Sequence, residues 1–134
     1  MKRALLLLLL AALAGCTPAG PRVAFGTPCS ACSMTITDAR FACVRRDGGR
    51  WKSFDSIECL LRGGRPASAA VRLADYDTRR LVPADSLWVV HGDFPTPMGG
   101  GFAAFAGRTA AEQVASETHG TVRRFAELSV EDAR

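Results

Sequence analysis

Apolar residues are arranged along this chain in three different ways. Residues 4–13 form one unbroken apolar run, rich in leucine from Leu5 to Leu10, behind the cations Lys2 and Arg3. Residues 35–54 read as extended. There Phe41-Ala42-Cys43-Val44 and Arg50-Trp51-Lys52-Ser53-Phe54 flank Asp47-Gly48-Gly49, a hairpin signal. Asp55 then reads as a helix N-cap, with Glu58 closing a capping box. The helix over 56–62 ends at Gly63-Gly64. Residues 69–73 read as a strand. A second set follows. Strands are predicted over 79–82 and 86–90, then a loop over 91–101, and a strand over 102–105. Next comes a helix capped by Thr109 and Glu112 that stops at Gly120, then a strand over 121–125. Strand, strand, helix, strand recurs in rough outline. This order predicts an α+β fold of two similar small strand-strand-helix-strand halves in one compact domain. Residues 128–134 are expected to be a frayed helical turn.

The leading apolar run is too short to span a bilayer, which takes about 20 residues. It ends in Leu13-Ala14-Gly15-Cys16, a small-residue cleavage pattern with cysteine at the first mature position. This resembles a lipobox, which implies a diacylglycerol on the Cys16 thiol. The expected organisation is a signal peptide at 1–15, a lipidated tether at 16–22 and a folded domain at 23–134. The expected location is the cell envelope, on the periplasmic side. Thr17, in place of an acidic residue, points to the outer membrane.

The formal charge of +4 includes Lys2 and Arg3, so the mature chain carries less. Its arginines occur in scattered pairs, Arg45-Arg46, Arg79-Arg80 and Arg123-Arg124, and never as a long basic stretch. That speaks against nucleic acid as a partner. There are five cysteines. With Cys16 assigned to lipid, Cys29, Cys32, Cys43 and Cys59 remain. An even count in an oxidising compartment suggests two disulfides.

A metal is the competing reading. Cys29-Ser30-Ala31-Cys32-Ser33-Met34 puts two thiols and a thioether in six residues. Soft sulfur ligands select Cu(I). A redox-active Cys29–Cys32 disulfide is the alternative, although Thr35-Ile36-Thr37 is β-branched, where thioredoxin-like folds open a helix. A zinc site would need a second ligand pair at the right spacing. Spacing alone leaves these readings open. Met98, in Pro97-Met98-Gly99-Gly100-Gly101, is poorly placed for ordinary core and is a further candidate. His91 and His119 read as structural. Cys43 and Cys59 read as buried apolar residues or a structural pair. Asp38 and Asp55 read as turn and cap residues, and Trp51 and Trp88 as strand packing. No motif for a serine nucleophile, a helical histidine pair or a phosphate loop is present, so no enzyme is expected.

These residues resemble the NosL family of copper lipoproteins, accessory proteins for nitrous oxide reductase. The resemblance runs through Cys29 to Met34, Phe41-Ala42, Trp51 to Cys59, Pro97-Met98-Gly99-Gly100, Ala104-Phe105, residues 108–115 and Gly120-Thr121-Val122. The family's Cys-Gly-Met signature matches at Cys32 and Met34, with Ser33 in place of glycine. Glycine reaches backbone conformations that serine reaches only at a cost. The resemblance implies a periplasmic Cu(I) metallochaperone, receiving copper from a donor and passing it to a client, nitrous oxide reductase. It implies Cys32 as principal thiolate ligand, Met34 as thioether ligand, and Cys29 and Met98 as further ligands; His91, outside the matched motifs, is a weaker candidate. Two rivals stand beside it: a membrane-tethered thiol–disulfide oxidoreductase using Cys29 and Cys32, and a structural lipoprotein with two disulfides.

Overall fold

The computed structural model describes residues 20–23 and 26–134. The expected signal peptide and Cys16 lie outside the described residues. Strands β1 (Cys43–Asp47) and β2 (Arg50–Phe54) form the expected hairpin, in register from Cys43↔Phe54 to Asp47↔Arg50. Gly48 and Gly49 both take positive φ, 53° and 82°, the turn geometry whose twist matches the strands. Helix α1 (Ile57–Arg62) follows and closes at Gly63, whose N–H donates to the Cys59 carbonyl. Strand β3 (Val71–Ala74) pairs with β1, and β4 (Leu81–Pro83) with β3, giving an antiparallel sheet of order β2-β1-β3-β4.

The second half holds β5 (Trp88–His91), β6 (Phe102–Phe105), helix α2 (Arg108–Glu117) and β7 (Thr121–Arg124), in a sheet of order β6-β5-β7. In each half the first strand is flanked by the second and by the strand after the helix. The two halves therefore share one strand-strand-helix-strand connectivity, and the fold is α+β as expected. Boundaries differ in several places. Residues 39–41 form a turn, so the first hairpin strand begins at Cys43 and not at Phe41. The strand expected from 69 begins at Val71, after a 3₁₀ turn over Ser68–Ala70. The strand expected over 79–82 does not open the second half. It is β4, added to the outside of the first sheet. Helix α2 starts at Arg108, with Gly107 at its N-cap and no side-chain cap, so Thr109 sits inside the first turn.

The halves are stitched at Asp75. Its buried carboxylate accepts from Thr78 N–H, Thr78 Oγ1 and Ala106 N–H, and the next residue, Tyr76, donates its N–H to the Ala104 carbonyl at 2.7 Å. One apolar cluster holds Phe54, Leu60, Leu61, Leu73, Phe102 and Phe125. A smaller one, around Val90, Phe105 and Ala111, lies under α2.

The C-terminal stretch is docked rather than frayed. Short 3₁₀ turns at Phe125–Glu127 and Glu131–Ala133 bury Leu128 and Ala133, and Arg62 Nε donates to the Ala133 carbonyl at 2.8 Å. Asp132 accepts from Ser129 N–H and Oγ and from Arg123 Nη2 at 2.7 Å. The Arg123 guanidinium, first, and then the Ser129 N–H hold the Asp132 carboxyl down at about 2. A depressed carboxyl pKa stabilises the fold above the unfolded value near 3.8, and that gain fades as pH falls through about 2. The full shift corresponds to ~2 kcal/mol, and solvent screening of this partly exposed pair cuts it to about 1 kcal/mol. Asp132→Asn is expected to lower stability by about that amount at neutral pH. In urea unfolding across pH, its curve should meet that of the parent protein near pH 2. A gap that persists in acid would contradict this role.

Candidate metal centre

The site is built by one loop and one corner. The loop is residues 29–34, closed by a bridge between Pro28 and Thr35. Within it Cys29 N–H donates to the Met34 carbonyl at 2.8 Å, and Ser33 N–H to the Cys29 carbonyl at 3.0 Å. Ser30 N–H donates to the Ser53 carbonyl at 2.8 Å, which fastens the loop to the outer edge of β2. Ser33 has φ 65°, the left-handed conformation that suits glycine. The loop thus keeps a glycine-type backbone although serine occupies the position.

The corner is the passage from β2 into α1. Ser56, not Asp55, is the N-cap, and its Oγ accepts from Cys59 N–H at 3.2 Å. A helix start one residue later than expected takes Asp55 out of the capping role. Its Oδ2 instead accepts from Cys32 Sγ at 3.6 Å, while its Oδ1, also buried, has no hydrogen-bond partner. The expected capping box does not form either. Glu58 is buried, and its Oε1 accepts from Thr96 Oγ1 at 3.0 Å and from Gly100 N–H at 2.9 Å. A β-carbon at Gly100 would collide with the Glu58 side chain, so only glycine lets the 96–101 loop seat there.

These two pieces bring one ligand atom each of Cys29, Cys32, Asp55 and Cys59 within 4.8 Å of one another. Cys29, Asp55 and Cys59 are buried, and Cys32 is half-buried at the outer side. All four cysteines in the described residues are free thiols. Cys43 is not in the group. It lies beneath the corner and donates to the Ser56 carbonyl at 3.1 Å. Burial pushes the Cys32 thiol up, with Cys29 and the Asp55 carboxylate adding to it. Burial pushes Cys59 well above the ordinary thiol value, and Asp55 and Cys32 raise it further. Burial likewise holds the Cys43 thiol far up. At neutral pH the apo site therefore holds Cys32 and Cys59 as protonated thiols, and a thiolate-seeking metal displaces their protons as it binds.

The expected ligands are placed as follows. Cys29 and Cys32 stand together. Met34 leaves the loop with 52% of its surface exposed. Met98 is half-buried against the core cluster that contains Cys29 and Cys59, in the loop held by Glu58. His91 stacks on Phe102, ring centroids 4.2 Å apart, and His119 is exposed beside Asp93. Neither belongs to the sulfur group. Sequence reasoning missed Asp55 and Cys59. The available signal was the adjacency of Asp55 and Ser56: both are good caps, and choosing Ser56 releases Asp55. Three thiols form a soft donor set suited to Cu(I) or zinc, and the buried carboxylate beside them can accept a proton or coordinate.

The NosL family model matches residues 22–133. Among solved structures, the copper chaperone NosL from Shewanella denitrificans superposes with a TM-score of 0.68 at 18% identity, covering 82% of this chain and 95% of that one. At that identity the likeness is one of fold. No curated protein matches the chain in a sequence search.

The strained position in the loop gives a direct test. Ser33→Gly is expected to keep stability or raise it by up to ~1 kcal/mol, as left-handed strain is relieved against glycine's greater chain entropy. Ser33→Val, β-branched at positive φ, should lose about 1 kcal/mol or more. Thermal unfolding of both variants reads the difference. Equal melting temperatures would show that the loop does not hold this conformation.

Proposed function

The chain belongs to the NosL family, and from that premise we propose that it is a membrane-anchored Cu(I) carrier of the cell envelope. It takes copper from a donor and passes it to a client, nitrous oxide reductase. The observation that carries this reading is the convergence of three thiols, from Cys29, Cys32 and Cys59, around one point. Three thiolates suit a soft monovalent ion, and the Asp55 carboxylate is placed to accept from Cys32 rather than to compete as a hard ligand. Met34, exposed at the loop exit, and Met98, in the facing loop, offer thioethers to the ion as it enters and leaves rather than in the resting trigonal site.

The gradient of exposure suits a carrier. Cys29 and Cys59 are buried, Cys32 is half-buried and Met34 is largely exposed. A client ligand arriving from solvent meets Met34 and Cys32 first, and the ion leaves by stepwise ligand exchange. The exchange-enzyme reading fares worse. A disulfide oxidoreductase needs an accessible thiol of lowered pKa. Here Cys29 is 2% exposed and the Cys32 thiol is raised. The lipid on Cys16 supplies the anchor, on the envelope's periplasmic side.

An anaerobic Cu(I) competition titration tests the proposal. Removing a partner outside the coordination sphere costs roughly 10–100-fold in metal affinity, so Asp55→Asn is expected in that range. Cys32→Ser and Cys59→Ser should each lose more than ~100-fold, with a smaller loss for Met34→Leu. Apparent affinity should rise with pH from about 6 to 8, because binding releases protons from thiols whose pKa values are raised. Tight binding unaffected by Cys59→Ser would remove Cys59 from the site. Weak binding insensitive to every variant would overturn the copper reading. Zn(II) displacing Cu(I) at equal concentration would reassign the ion.

A further inference from the structure

The arginines that look scattered in the sequence are gathered by the fold. Arg22, Arg72, Arg79 and Arg80 line one open cleft of ≈ 560 Å³. Its floor is the outer face of the first sheet. Ala74 sits opposite Leu81 in the register and donates its N–H to the carbonyl of Ala42, the residue before β1, and all three line the cleft with Arg72. The inner face of the same sheet carries Cys43, Phe54 and Leu73 into the core. Alternation along β1 extends the outer face further. Val44, opposite Arg72, is fully buried, and Arg46, two residues on and exposed, lies opposite Trp51. Trp51 is therefore on the same side as the arginine cleft, two strands away, and is 40% exposed. No ion pair among the described residues engages Arg22, Arg46, Arg72, Arg79 or Arg80. The nearby Asp38 is bound by Arg40 at 2.6 Å and feels Arg79 only weakly. Asp77 is exposed in the turn after β3.

We propose that this face docks on the headgroups of an anionic phospholipid surface, with the cleft arginines on phosphate oxygens and Trp51 at the interfacial level. Guanidinium pairs with phosphate bidentately, and tryptophan favours the membrane–water boundary. Charge complementarity is one support. The second is where the chain runs. Residues 20–23 line the cleft, and Cys16 stands four residues before Gly20. Four residues span at most ~14 Å. A lipid on Cys16 thus keeps this face at the bilayer, an argument that rests on the anchor proposed above. Docked in this way, the domain is oriented as well as tethered.

The test uses the mature lipoprotein reconstituted in vesicles of phosphatidylcholine, with or without one-third phosphatidylglycerol. Quenching of Trp51 by a headgroup-level nitroxide lipid is read, with Trp51→Phe giving the contribution of Trp88. Strong quenching is expected in the anionic vesicles. It should fall at least about fivefold in neutral vesicles, at high salt, or in Arg22→Glu/Arg80→Glu. Both of those arginines are exposed, and circular dichroism verifies that the variant folds. Equal quenching in both vesicle types, or none in the anionic ones, overturns the proposal. Mass measurement of Cys16 separates the two readings. If no lipid is present, the anchor fails, and sedimentation of the unlipidated chain with the same vesicles then decides the face. Binding confined to anionic vesicles upholds it, and no binding overturns it.

Discussion

Eight consecutive residues, Phe54 to Leu61, are buried where β2 turns into α1, and three of them are polar. Burying Asp55, Ser56 and Glu58 costs free energy unless each finds a partner. Each is served by a different part of the chain. Ser56 caps its own helix, Asp55 receives Cys32 from the N-terminal loop, and Glu58 receives Thr96 and Gly100 from the second half. One corner thereby fixes where the thiol loop and the Met98 loop meet. The sulfur group follows from this polar bookkeeping as much as from the cysteines themselves.

The two halves share a connectivity but divide the work. The first provides the corner, the thiols and the basic outer face. The second provides a supporting sheet and the loop that reaches back to Glu58. Asp75 couples them through Ala104 and Ala106, so the loop between β5 and β6 is held at Glu58 and the strand that follows it at Asp75. Met34, exposed, follows a loop whose Cys29 is buried, so sulfur lies on both sides of the boundary of this frame.

Local features were legible in the sequence because their causes are local. Gly48-Gly49 made the hairpin, Gly63 ended α1, and Cys29 to Met34 formed a loop. The repeat of element order was visible as well. Features that depend on long-range contacts were not. A one-residue shift of the N-cap from Asp55 to Ser56 decides which side chain faces Cys32, 23 residues away, and no periodicity carries that information. Cys59 looked like a small apolar residue because its partners come from the N-terminal loop. The C-terminal stretch looked frayed because Arg62, which holds Ala133, is 71 residues away in sequence. Trp51 was read as strand packing, yet its side chain is exposed.

X-ray absorption of the Cu(I)-loaded protein tests most directly whether the corner completes the site. A trigonal sulfur environment is expected, with the number of sulfur neighbours falling by one in Cys59→Ser. An unchanged spectrum in Cys59→Ser, or oxygen and nitrogen neighbours in place of sulfur, would contradict a site built from Cys29, Cys32 and Cys59.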